Sequence, residues 1–339
     1  MRRKYLHLFI GLVIIVLSLF YAFRGVKFSE LSNALTSVRY FYLLPAILLV
    51  IVSYWLRAMR WRYLIRPIKE VKTTNLFSPL MVGFMANMLP ARAGEFVRAY
   101  LLSKKENLSF SSSLATVVIE RLFDLALVLL LLCWVLIFKG DAFASEDTHN
   151  KMIYFGTLSF IVFFLILLFS ALLHYKNDWA MKIVGFFIKP LSQKWREKII
   201  RMVNSFTNGL NIIKDRRGFL ATTFLSFLIW ATFIVTYYPL YLAFDIETQL
   251  PVVSSLIILC LTVAIFITAA PTPGFLGSYH AACVAALHGI FGIEKAVALS
   301  YGIVAWLVAM GTTVVIGTIF AIKENISLGE FSSDREKIP

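Results

Sequence analysis

Long apolar runs separated by short basic or broken stretches dominate the chain. Near-continuous apolar positions fill 10–20, 41–51, 125–138, 160–173 and 303–320. These approach the roughly 20 residues that a helix needs to cross a bilayer. The first run, within 1–23, has a long apolar core and no Ala-x-Ala-like end, so it reads as a retained span and not a cleaved signal. Two pairs of apolar pieces are interrupted. Segments 76–89 and 96–102 flank Pro90–Gly94, and 252–270 and 275–290 flank Pro271-Thr272-Pro273-Gly274.

Loop charges order these pieces. Arg2, Arg3 and Lys4 put the N-terminus in the cytoplasm, and Arg57, Arg60, Arg62, Arg66, Lys69 and Lys72 mark the cytoplasmic end of the second span. Lys104 and Lys105 return the first broken pair to the same side. The acidic positions Asp141, Glu146 and Asp147, then Asp245 and Glu247, fall outside. The link 24–40 is also expected outside. The pattern predicts an all-α polytopic membrane protein with about six full spans and two re-entrant helical hairpins. Their opposite orientations resemble an inverted repeat, whose broken helices meet at a midplane site. Eight ordinary spans, two of them kinked at proline, are the alternative. The expected organisation is one transmembrane domain, 1–325, with a short tail, 326–339. Both termini are placed on the cytoplasmic side of the cytoplasmic (inner) membrane. Within the basic loop 176–217, Trp195, Ile199, Val203, Phe206, Leu210 and Ile213 recur at helical steps, with Lys194, Lys198 and Arg201 on other faces. That segment reads as an interfacial helix.

Composition narrows the partners. A hydrophobic fraction of 59% and a mean hydropathy of +0.79 exclude an ordinary soluble domain. The net charge of +14 reports topology and anionic lipid before nucleic acid. Cys133, Cys260 and Cys283 lie in apolar segments without paired spacing, so neither metal, disulfide nor cofactor is expected.

The chemistry sits at the interruptions. Asn87, Pro90, Arg92, Gly94, Glu95 and Arg98 form one polar group, and Glu120, Arg121 and Asp124 a second inside an apolar run. Ionisable groups at membrane depth cost roughly 2.5–3.5 kcal/mol or more each, so they mark pathways or sites. From a cytoplasmic start at 112, Glu120 lies about 12 Å and Asp124 about 18 Å into the membrane. The two share a helix face. Arg121, about 100° away, is expected to find a different partner. Arg92, Glu95 and Arg98 are the expected partners of this trio, whose combined six charges balance; a purely structural ion-pair network would balance too. The amides freed after Pro90, beside an Arg fork, suit a phosphate. Asn87 can bond the freed backbone or a ligand hydroxyl. In the second break, Pro271, Pro273 and Gly274 interrupt the helix, Gly277 permits close backbone approach, and Tyr279 and His280 follow.

The motif Asn87-x-x-Pro90-x-Arg92-x-Gly94-Glu95-x-x-Arg98, then Glu120-Arg121-x-x-Asp124, then Pro271-x-Pro273-Gly274-x-x-Gly277 resembles the lysylphosphatidylglycerol synthase transmembrane-region family over about residues 5–325. The resemblance implies a flippase-like protein that moves lipid, like the flippase module of the multiple peptide resistance factor, with the motif residues lining the substrate site. Lysyl-lipid synthesis is not implied, because only a short tail follows Ile322. The chain departs from the family pattern at Gly277-Ser278-Tyr279-His280 and at Tyr301-Gly302, where a Glu and an Arg are common. The expected activity is translocation of an anionic or phosphate-bearing lipid by a transporter, not an enzyme, with self-association open. A membrane enzyme acting on a lipid phosphate and a non-catalytic membrane subunit are the rivals.

Overall fold

The computed structural model describes residues 2–88, 94–138 and 215–326, together with parts of 153–203. Among the described residues the chain is entirely helical, without strands. Segments Tyr40–Ile65, Arg216–Phe244, Val252–Ala269 and Lys295–Lys323 are long and apolar enough to cross a bilayer. A bent pair, Leu12–Phe23 with Phe28–Thr36, makes a fifth candidate. The expected span at 153–173 lies largely outside the described residues, as does most of the interfacial helix expected at 194–213.

The chain divides into two compact units. The first comprises 1–55, 77–98 and 231–339. It contains α1 (Arg2–Phe23) and α2 (Phe28–Thr36), joined through Gly25 at φ +79° with a bend of 81°. The link expected outside the membrane therefore carries a helix of its own. Lys295 donates to the carbonyls of Tyr21 and Arg24 at the end of α1, answering carbonyls that a helix end leaves without partners.

Most of α3 (Leu43–Ile65) and α4 (Thr73–Ala86) and the first turns of α5 (Gly94–Glu106) also belong here. At 14 and 13 residues, α4 and α5 rise only about 20 Å each. That is short of the ~30 Å apolar core, as re-entrant arms should be. Val252–Ala269 differs from expectation. Its 18 uncharged residues are long enough to cross alone, so the second break has one arm of full crossing length.

The second unit comprises 56–76 and 99–230. Its long element is α6 (Phe110–Phe138); α7 (Asn177–Ile188) and the first half of α8 (Arg216–Phe244) complete the elements used below. Lys69 and Asn75 clasp the end of α5, where Lys69 Nζ meets Glu106 Oε2 at 3.1 Å and Asn75 Nδ2 donates to Glu106 Oε1 at 2.9 Å. Burial alone would raise the Glu106 carboxyl, but Asn75 and Lys69 outweigh it and hold it below its ordinary value. The α7 helix rests on Val184 and Ile188 and leaves Trp179, Ile183 and Phe186 exposed. Its 12 residues rise about 18 Å, too little to cross.

In the first unit, α9 (Val252–Ala269) packs against α10 (Ser278–Cys283), which touches α1 and α11 (Lys295–Trp306). A wider π-type turn at Leu307–Gly311 passes α11 into α12 (Thr312–Lys323).

Candidate functional site

A polar stripe runs along α6 in the second unit. Ser113, Thr116, Glu120 and Asp124 are spaced by three or four residues, so they share one face of an otherwise apolar helix. No such face could meet lipid without large cost, and here it meets protein. The end of α3 supplies two partners. Trp61 Nε1 donates to Thr116 Oγ1 at 2.8 Å, and Arg60 spreads its fork across both carboxylates. Arg60 Nη1 lies 2.7 Å from Asp124 Oδ1, Nη2 is 3.3 Å from Asp124 Oδ2, and Nη2 is 3.2 Å from Glu120 Oε1. From α8, Ser226 Oγ accepts a further bond from Arg60 Nη1 at 3.0 Å. Five donors in a rigid plane make Arg the residue that can serve three acceptors at once.

Arg121 closes the cluster. It pairs with Glu120 and sets Nη1 3.4 Å from Asp124 Oδ2. Arg57, one turn before Arg60, is half-buried and interacts electrostatically with Asp124, Arg121, Glu120 and Arg60. Three guanidinium groups thus face two carboxylates. Burial is graded: the Arg60 and Glu120 side chains are fully enclosed, Asp124 is 13% exposed and Arg121 38%. The excess positive charge lies toward the open end.

Two expectations are corrected here. Arg60 was counted among solvent-facing cytoplasmic charges, yet it is enclosed and is the hub of the cluster. A basic residue ending an apolar run carries the same signature whether it faces water or a neighbouring helix. The available sequence signal was Ser53, Arg57 and Arg60 at steps of four and three on one helix face. Arg121 was expected to seek another partner because its Cα lies off the stripe. Its long side chain folds back to both carboxylates.

The breaks organise a second polar locus, in the first unit. Pro90 and Arg92 lie outside the described residues. Glu95 occupies the first turn of α5, and Arg98 is fully buried with its guanidinium 5.7 Å from the Phe84 ring centroid. Glycine is required where the arms meet. A Cβ on Gly94 would fall on the Gly83 carbonyl and the Asn87 side chain, and one on Gly83 would come within 2.9 Å of the Gly94 carbonyl oxygen.

The two breaks also touch. Gly274 N–H donates to the Asn87 carbonyl at 3.0 Å, and Trp306 Nε1 donates to the Gly274 carbonyl at 2.8 Å. Both backbone groups that the second break exposes at Gly274 are thereby satisfied. Pro273 begins the short turn ahead of α10, after Pro271 and Thr272, and the turn bends at Gly274, φ +57°. Gly277 follows at φ +84°, and its N–H donates to His280 Nδ1 at 3.3 Å. His280 stands 5.7 Å from the Trp306 ring, and Tyr279 Oη donates to Tyr237 Oη at 3.4 Å. Tyr279 and His280 are therefore built into the packing around the break. Trp306, which the sequence gave no reason to choose, fastens it. Trp306→Phe should lower the unfolding midpoint in detergent by the equivalent of about 1–3 kcal/mol, the cost of an orphaned buried acceptor. An unchanged midpoint would show that another donor serves Gly274.

Comparison with known proteins agrees with this architecture. The model of the lysylphosphatidylglycerol synthase TM region matches residues 8–317. A UPF0104 membrane protein of Methanothermobacter thermautotrophicus is 25% identical over 83% of this chain and 84% of its own length. Another, from Pyrococcus horikoshii, is 23% identical over 95% and 97%. Glycosyltransferase AglD of Haloferax volcanii is 24% identical over 94% of this chain, which spans only 54% of that protein. No solved structure matches. This multi-pass chain, with its polar stripe and paired helix breaks, belongs to the lysylphosphatidylglycerol synthase transmembrane-region family.

Proposed function

We propose that the protein translocates a phosphate-bearing lipid across the cytoplasmic membrane, with both termini in the cytoplasm as the basic loops suggest. The observation that carries this reading is the α6 cluster, where three arginines face two carboxylates and the excess lies at its exposed end. A phosphate diester supplies the one negative charge that would balance it. Arg121 is the most accessible arginine of the carboxylate pairs, and Glu120 and Asp124 are the partners to which it returns on release. Such an exchange lets a site bind an anion without trapping it. The acyl or isoprenoid chains stay in lipid, and neither ATP nor a metal has a part in this step. Arg92 and Arg98, at the inner break, are proposed to guide the phosphate as it enters.

The test uses proteoliposomes, headgroup-labelled phosphatidylglycerol and a membrane-impermeant quencher. The parental protein should accelerate quenching, and Arg121→Ala should slow it roughly 10- to 100-fold, the range of a lost charge-assisted bond. Equal rates in parent and variant would remove the cluster from the path. The relative named as a glycosyltransferase favours a second reading, an enzyme acting on a lipid phosphate. Chemical turnover of the labelled lipid, with no movement between leaflets, would select it.

A further inference from the structure

Two hydroxyls beside the ion-pair cluster are left without an explanation by the pairing itself. Ser113 Oγ and Thr222 Oγ1 are fully buried, and neither has a hydrogen-bond partner among the described residues. Buried hydroxyls in apolar helices ordinarily return a bond to a carbonyl one turn earlier. Their neighbours do so: Thr116 bonds the Ser113 carbonyl at 2.7 Å, Ser226 the Thr222 carbonyl at 2.8 Å, and Thr223 the Phe219 carbonyl at 2.9 Å. Ser113 and Thr222 keep their hydroxyls out of this pattern, at a cost comparable to a lost hydrogen bond.

Their positions are related. Ser113 lies one turn before Thr116, which accepts from Trp61, and Thr222 lies one turn before Ser226, which accepts from Arg60. Trp61 and Arg60 are neighbours on α3. The polar stripe of α6 and the Thr222–Ser226 face of α8 therefore converge on the same two residues. Both continue past them, toward the starts of their helices, as a row of hydroxyls bearing no charge.

We infer that Ser113 and Thr222 form a subsite for free hydroxyls on the alcohol of a phosphate ester, so that the preferred lipid carries a polyol or sugar headgroup. The inference rests on the translocation reading and adds the chemistry of the headgroup. Each side-chain hydroxyl can both donate and accept, which is what another alcohol group requires. A choline headgroup offers no such donor and brings a cation to a cluster already rich in arginine. Sites built to hydrogen-bond a hydroxyl reject the analogue that lacks it far better than apolar pockets sort by size.

The experiment compares two acyl-labelled lipids of equal charge in the same proteoliposomes: phosphatidylinositol, rich in headgroup hydroxyls, and phosphatidylethanol, which has none. The parental protein should move phosphatidylinositol about tenfold faster or more. Thr222→Val, isosteric but without the hydroxyl, should bring the ratio of the two rates toward one, and Thr222→Ser should keep it. Thr222→Val should also unfold at or above the parental midpoint, because no bond within the protein is lost. A lowered midpoint would show that the hydroxyl has a structural partner and would overturn the inference. So would a rate ratio near one in the parent, which would leave these hydroxyls a place for water only. If neither lipid moves faster than in protein-free vesicles, the translocation reading falls and takes the inference with it. If both move at one rate, the inference alone falls.

Discussion

Arg60→Ala is expected to cost about 3–5 kcal/mol, because it strands two buried carboxylates whose charges the guanidinium now answers. The hub position sets the size of the effect. One side chain holds Glu120, Asp124 and Ser226 together, with every partner on a different helix turn. Whole domains are stable by only about 5–15 kcal/mol, so the variant should show sharply reduced yield and a depressed unfolding midpoint in detergent. Arg60→Lys should fall between, since a single ammonium cannot reproduce the fork. Arg60→Met combined with Glu120→Gln and Asp124→Asn separates stability from function. Removing the charges together should recover most of the midpoint, because a buried ion pair gains little over neutral packing. Transport should stay lost in this triple variant, since the anion site has gone. If Arg60→Ala keeps the parental midpoint, Glu120 and Asp124 are not held as described.

The sequence made some of this site visible. Glu120 and Asp124 stood out because two carboxylates four apart in an apolar run demand a shared, enclosed face, and both meet Arg60. The helix breaks were visible as well, since Pro and Gly act on the backbone directly. Arg60 was hidden because burial is a property of the neighbour and not of the residue. Arg121 was misjudged because an arginine's charge sits several bonds from its Cα, and angular position on a helix wheel does not fix where it ends. The junction of Asn87 with Gly274 is a backbone-to-backbone bond, which leaves no side-chain trace in a sequence. The α2 helix was missed for another reason: its nine residues are too few to impose a helical period on the link they occupy.

The inner break offers the second large effect, through steric contact instead of charge. Gly94→Ala should destabilise the protein by at least the 1–3 kcal/mol typical of an overpacked core, because the added methyl meets backbone. A side chain can rotate away, but the Gly83 carbonyl cannot move without displacing α4 from α5. Asn87, the other atom group in the way, also holds Gly274 through its carbonyl, so relief at Gly94 disturbs the contact between the breaks. Gly83→Ala should have a similar effect, since its methyl meets Arg98 and the Gly94 carbonyl from the other side. Gly185→Ala is the control. It lies within α7 with open space around its Cβ position, and alanine there should be stabilising by about 0.5–1 kcal/mol through helix propensity. Unfolding midpoints and proteoliposome transport should therefore fall together at positions 83 and 94 and hold at 185. A Gly94→Ala protein that folds like the parent but no longer transports would be more informative still. It would mean that the arms can part at little cost, and that their close approach serves the moving lipid more than the fold.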